Sequence, residues 1–105
     1  MASPLVFVAN EPRVYRETIA IALSALRPEA EIVTVEPDNL DAEVQRRHPD
    51  VALCSQLSPA VEESVATWVL LYPEGANMAV VSIDGKQSTT GSLALDDLAA
   101  AIGPA

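Results

Sequence analysis

The chain has 105 residues, a length that suits one domain, and half of them are hydrophobic, enough for a packed core. Fifteen acidic residues against six basic ones give a net charge of −9, which argues against nucleic acid or an anionic membrane as a partner, because both require a cationic face. One cysteine excludes an internal disulfide and a cysteine-cluster metal site, and a single histidine leaves no metal-ligand spacing.

Only Phe7, Tyr15, Trp68 and Tyr72 are aromatic, so the core is expected to be built from Val, Leu, Ile and Ala. Met1 to Val8 contains no basic residue and no long apolar stretch, unlike a signal peptide. No apolar run approaches the length of a bilayer span. The expectation is a soluble cytoplasmic protein. Without repeats or a Gly/Ser-rich linker, residues 1–105 read as a single domain.

Leu5 to Ala9 is a short, continuous apolar run, the pattern of a strand covered on both faces. Asn10-Glu11-Pro12 then starts a helix, with Asn as a capping residue and Pro in the first turn. From Arg13 to Leu26, the residues Val14, Thr18, Ile19, Ile21, Ala22, Ala25 and Leu26 recur at spacings of three and four, a helical stripe. Glu31 to Glu36 reads as a second strand. Pro37-Asp38-Asn39 opens a helix with a thin apolar face of Leu40, Val44 and His48, closed by Pro49. Asp50 to Gln56 is a third strand. Ser58-Pro59 caps a third helix predicted to run to Tyr72, before Pro73-Glu74-Gly75. Asn77 to Ile83 is a fourth strand. Asp84-Gly85 predicts a two-residue hairpin turn, which returns Lys86 to Ser92 as a polar antiparallel strand. Ser92 to Ile102 forms a last helix. Strands alternating with helices predict an α/β fold with helices on both faces of a largely parallel sheet, in order 2-1-3-4-5 with the fifth strand antiparallel at the edge.

Two segments give this chain a family resemblance. Leu5 to Pro12 (LVFVANEP) resembles the opening of response-regulator receiver domains, where a strand ends in an acidic pair. Pro49 to Pro59 (PDVALCSQLSP) resembles the receiver strand that carries the phosphoaccepting Asp, with Ser55 in the Asp place and Pro59 in the place of the following Pro. Val80-Val81-Ser82 is similar to the strand that ends in the family's Ser/Thr, and the last helix is similar to its closing helix. The resemblance implies a three-layer, doubly wound, flavodoxin-like sheet. The departures from the family imply the rest. Ser55 cannot form an acyl phosphate. Of the acidic pair, whether it falls at Ala9-Asn10 or at Asn10-Glu11, at most Glu11 survives, which weakens any Mg²⁺ site. The only lysine, Lys86, precedes the family's Lys place near Thr90 or Gly91. The segment from Ile83 to Ser92 is too short for the family's fourth helix and next parallel strand. The implied protein is a truncated, phosphorylation-incompetent pseudo-receiver, with no catalytic residue, no metal and no cofactor.

In an open α/β sheet, ligands bind beyond the carboxyl ends of the strands. Asn10, Glu11, Ser55, Ser82 and Lys86 are the candidate ligand-binding residues of that edge, with Glu36, Gln56 and Asp84 nearby. The same residue types also serve as helix caps and turn formers. Cys54 and His48 are separated by roughly six strand residues at ~3.3 Å each, too far for a catalytic pair. Ser55 lacks the G-x-S-x-G setting of a hydrolase nucleophile. Trp68, Leu71 and Tyr72, at the end of the third helix, either form an exposed protein interface or fill the core. The leading functional expectation is a non-catalytic regulatory or protein-interaction module that binds a protein partner or a second copy. The alternative is a small-ligand or anion sensor at the strand-end edge. A residual phosphoacceptor role for Ser55 ranks below both.

Overall fold

The computed structural model describes residues 4–71, 79–91 and 95–102. Its elements are β1 (Leu5–Ala9), α1 (Arg13–Leu26), β2 (Glu31–Thr34), a 3-10 turn (Pro37–Asn39), α2 (Leu40–Arg47), β3 (Val51–Cys54), α3 (Pro59–Ser64), β4 (Thr67–Leu71), β5 (Ala79–Ile83), β6 (Lys86–Thr90) and α4 (Leu95–Ala101). The six strands form one mixed sheet in the order β2-β1-β3-β4-β5-β6. β2, β1, β3 and β4 are parallel, and β5 and β6 each pair antiparallel with the strand before.

The central strands β1, β3 and β4 are buried on both faces. Val6, Val8, Val51, Leu53, Val69 and Leu71 point to one side, where Ile19 and Leu23 of α1 and Leu98, Ala99 and Ile102 of the closing helical segment cover them. Phe7, Ala9, Ala52, Cys54 and Trp68 point to the other, against Leu40 and Val44 of α2 and Ala60 and Val61 of α3. Alternation along each strand therefore serves two cores, which is why β1 and β3 are apolar at every position. Asp50 ties the start of this arrangement together: its carboxylate accepts from the Leu5 amide at 2.8 Å, and its own amide donates to the Leu5 carbonyl at 2.8 Å.

The local signals act where the sequence places them. Ser58 Oγ accepts from the Val61 amide at 3.2 Å and caps α3. Asp84 and Gly85 have φ of 50° and 85°, the double left-handed pair of a type I′ hairpin. His48 ends α2 in the same left-handed region, with φ of 52°.

Three expectations are corrected. The third helix stops at Ser64, and Thr67–Leu71 is a strand inserted between β3 and β5. TWVLL is rich in β-branched and aromatic residues and apolar on every side, so it suits a doubly covered strand better than a one-sided helix. The strand expected as fourth and parallel, Ala79–Ile83, is consequently fifth and antiparallel. The order is 2-1-3-4-5-6 rather than 2-1-3-4-5.

The interface expected from Trp68 and Leu71 is overturned as well. They are 3% and 2% exposed, on opposite core faces. Tyr72 lies outside the described residues. The third correction concerns α1. It buries Arg16, Ile19 and Leu23, while Val14 and Ile21 are each 73% exposed and Thr18 and Ala25 also face solvent. At 100° per residue, Val14, Thr18, Ile21 and Ala25 form a narrow stripe opposite Leu23. The single stripe read from the sequence merges two sides of the helix.

Trp68→Ala distinguishes core from surface. A buried Trp costs about 3–5 kcal/mol when truncated, whereas a surface one costs under ~0.5 kcal/mol. Urea unfolding followed by circular dichroism is expected to show the larger loss.

Candidate functional site

The carboxyl ends of β1 and β3 meet at the point where strand order reverses, with β2 on one side and β4 on the other. Four residues converge there. Asn10, fully buried, follows β1; Ser55, half-buried, follows β3. The Glu11 amide donates to Ser55 Oγ at 2.9 Å, and Asn10 Nδ2 donates to the same oxygen at 3.4 Å. Arg16 is buried beneath α1; its Nη1 reaches the Asn10 carbonyl at 3.5 Å and its Nη2 reaches Glu36 Oε1 at 3.3 Å. The two guanidinium contacts are long, so they orient the side chain more than they bind it tightly. Asn10 Oδ1 is buried and has no hydrogen-bond partner among the described residues.

This arrangement is a polar knot linking the ends of β1, β3 and β2 to α1. Ser55 Oγ acts as acceptor for two donors, and among the described residues no carboxylate or imidazole hydrogen-bonds to it. Among the described residues, no group of three His, Cys, Asp or Glu side chains could hold a metal ion. Beside it, Cys54 is buried in the α2/α3 core, with Sγ 3.9 Å from the Val69 carbonyl. Burial pushes its thiol up from the usual 9.0 to about 12. Thiolate is the reactive form, so burial favours the less reactive, protonated state of Cys54. A cavity of about 360 Å³ opens next to the knot, lined by Ala9, Pro37, Leu40, Gln56, Leu57 and Ser58.

The structure brings Asn10, Glu11 and Ser55 together and separates Ser82 and Lys86 from them. Cys54 is in register with Leu70, Val80 and Thr89, so Ser55 lies one residue beyond that row. Lys86 pairs with Ile83, in the row of Thr67 and Val51 near the amino ends of β3 and β4. The offset in rows and strands amounts to roughly 20 Å at ~3.3 Å per residue and ~4.8 Å per strand. Ser82, opposite Trp68, also lies toward that other end. The cause is the inserted β4: it makes β5 run downward, so the hairpin emerges from the opposite edge.

Arg16 is the site residue that sequence reasoning missed. Its signal was the spacing Arg16, Ile19, Leu23, a buried stripe that happens to begin with a charge.

Comparison of the chain with family models, with characterised proteins and with solved structures gives no match.

Two outcomes are expected. Ser55→Ala strands the Glu11 amide and the Asn10 side chain, and should cost about 1 kcal/mol in urea unfolding. For Cys54, below about pH 9 folded and unfolded chains both hold the thiol proton. Between about 9 and about 12 only the folded chain keeps it. Stability should therefore fall as pH rises through that window. Cys54→Ala removes this component of the pH slope, measured as the difference between the two proteins' alkaline unfolding curves.

Proposed function

We propose that the chain is a non-catalytic regulatory or protein-interaction module, a degenerate receiver-like domain of flavodoxin-like type. The observation that carries this reading is the occupied hydroxyl of Ser55. The position that resembles a phosphoacceptor accepts hydrogen bonds from Glu11 and Asn10, with no carboxylate pair beside it. The strand order β2-β1-β3-β4 agrees with that resemblance; the antiparallel β5-β6 hairpin departs from it.

The surface available for interaction is the outer stripe of α1. Val14 and Ile21 are large aliphatic residues left in water, spaced with Thr18 and Ala25 along one line. Among the described α-helices, α1 alone carries a net positive charge. It carries Arg13 and Arg16 against one acid, Glu17, which Arg13 engages at 2.7 Å. Two copies with a charge of −9 each meet less repulsion there than at α3 or α4. One helix face is smaller than the ~800 Å² per partner of a standard interface, so self-association is expected to be weak and concentration-dependent.

The alternative, an anion sensor at the strand ends, loses the cation it invoked, because Lys86 stands at the other edge. It keeps Asn10, Glu11, Ser55 and the neighbouring cavity.

Amide NMR spectra with Mg²⁺, before and after a beryllofluoride phosphate mimic, decide between the two. The module reading predicts no shifts at Asn10, Glu11 or Ser55, and a rotational correlation time that rises with concentration. Ile21→Asp should abolish that rise while changing stability by less than ~0.5 kcal/mol. Saturable shifts confined to Asn10, Glu11 and Ser55 would support the sensor instead.

A further inference from the structure

The outer side of α1 is more ordered than a surface requires. Val14, Thr18, Ile21 and Ala25 follow one another at intervals of four, three and four, the spacing of a seam that faces a partner helix. Ile19 and Leu23 turn inward to the core, so the seam and the packed side use opposite faces of one helix. Val14 and Ile21 are each 73% exposed, Thr18 and Ala25 are exposed as well, and none of the four carries a charge.

Two observations say what covers this seam. The first is size. Along the helix the four side chains run large, small, large, small. Set antiparallel against its own copy, Val14 lies opposite the partner's Ala25 and Ile21 opposite the partner's Thr18. Every layer then joins one larger and one smaller side chain. A parallel pair would instead set Val14 and Ile21 each against itself, overfilling two layers and leaving the Thr18 and Ala25 layers thin. A surface that complements its own reverse is what a two-fold, isologous contact requires. The second is Thr18. Its hydroxyl donates to the Val14 carbonyl at 2.8 Å within the helix. That donor already has its partner, so covering Thr18 orphans no donor. Antiparallel helices also bring each amino end beside the other's carboxyl end, which favours the pair.

We infer that α1 pairs antiparallel with α1 of a second copy, about a two-fold axis that passes between positions 19 and 20. This pairing rests on the α1 surface proposed above and adds the partner's orientation and register. Beside the seam, Glu17 faces toward the partner's Ser24, a neutral hydroxyl, so no like charges meet across it.

Intermolecular paramagnetic broadening separates the pairing from the surface it rests on. A nitroxide is attached through Arg13→Cys or Leu26→Cys, each with Cys54→Ala, and the labelled chain is mixed with unsubstituted, isotope-labelled chain. Arg13 and Leu26 are both exposed, so the labels leave the core intact. Broadened amides in the isotope-labelled chain then report a neighbouring copy alone. The expected result is reciprocal: the label at position 13 broadens amides around Leu26, and the label at position 26 broadens those around Arg13. The two places are ~20 Å apart along the helix, far enough to be told apart. Ile21→Asp in the isotope-labelled chain should remove both effects. Broadening centred on the labelled position itself means a parallel pair; it overturns the inference and leaves the α1 surface standing. Broadening centred on another element, or none where both chains are concentrated, overturns the inference and the α1 surface together.

Discussion

Everything in this structure depends on the burial of β1, β3 and β4 on both faces. A strand with two apolar faces cannot lie at a surface, so helices must cover it from each side. Phe7 and Val8 are neighbours in the chain yet belong to different cores. The same constraint leaves the strand ends as the places where polar groups meet. The Asn10–Ser55–Arg16 knot sits there because the strand run of apolar residues stops there. At the end of β1, Asn10 donates its side-chain amide to Ser55 and receives Arg16 at its backbone carbonyl, while its Oδ1 has no partner among the described residues.

The knot occupies the place where α/β sheets usually bind ligands. Among the described residues Ser55 accepts from two donors and no base bonds to it, and burial raises the pKa of the neighbouring thiol. Such a network orders the strand ends more than it prepares a reaction. The rest of the surface tells a different story: apolar residues on α1 and carboxylates near the hairpin lie in water, at opposite extremes of chemical character.

Much of the fold was legible from punctuation. Ser58-Pro59 marked a helix start and Asp84-Gly85 a hairpin, because each uses local hydrogen bonding or backbone conformation that tertiary packing does not alter. Continuous apolar runs were less legible. TWVLL satisfies a buried strand and a buried helix equally well by periodicity, and reading it as helix removed one strand from the sheet. That one strand inverted the direction of β5 and carried Ser82 and Lys86 to the far edge. Helix α1 failed for a related reason: with aliphatic residues on two sides, spacing alone does not say which side packs. Of the candidate site, Asn10, Glu11 and Ser55 were found by their position at strand ends. Arg16 was not, since a buried arginine is defined by what surrounds it.

β6 is the last strand of the sheet, polar and short, with Lys86 as its only charge. One side of its backbone faces no neighbouring strand. Laid antiparallel against its twin about Ser88, it would set Lys86 across from Thr90, with no like charges opposed. A net charge of −9 on each chain opposes such a pairing. Acidification into the carboxylate range weakens that opposition, so the charge that bears on this serine- and threonine-rich edge lies outside the strand itself.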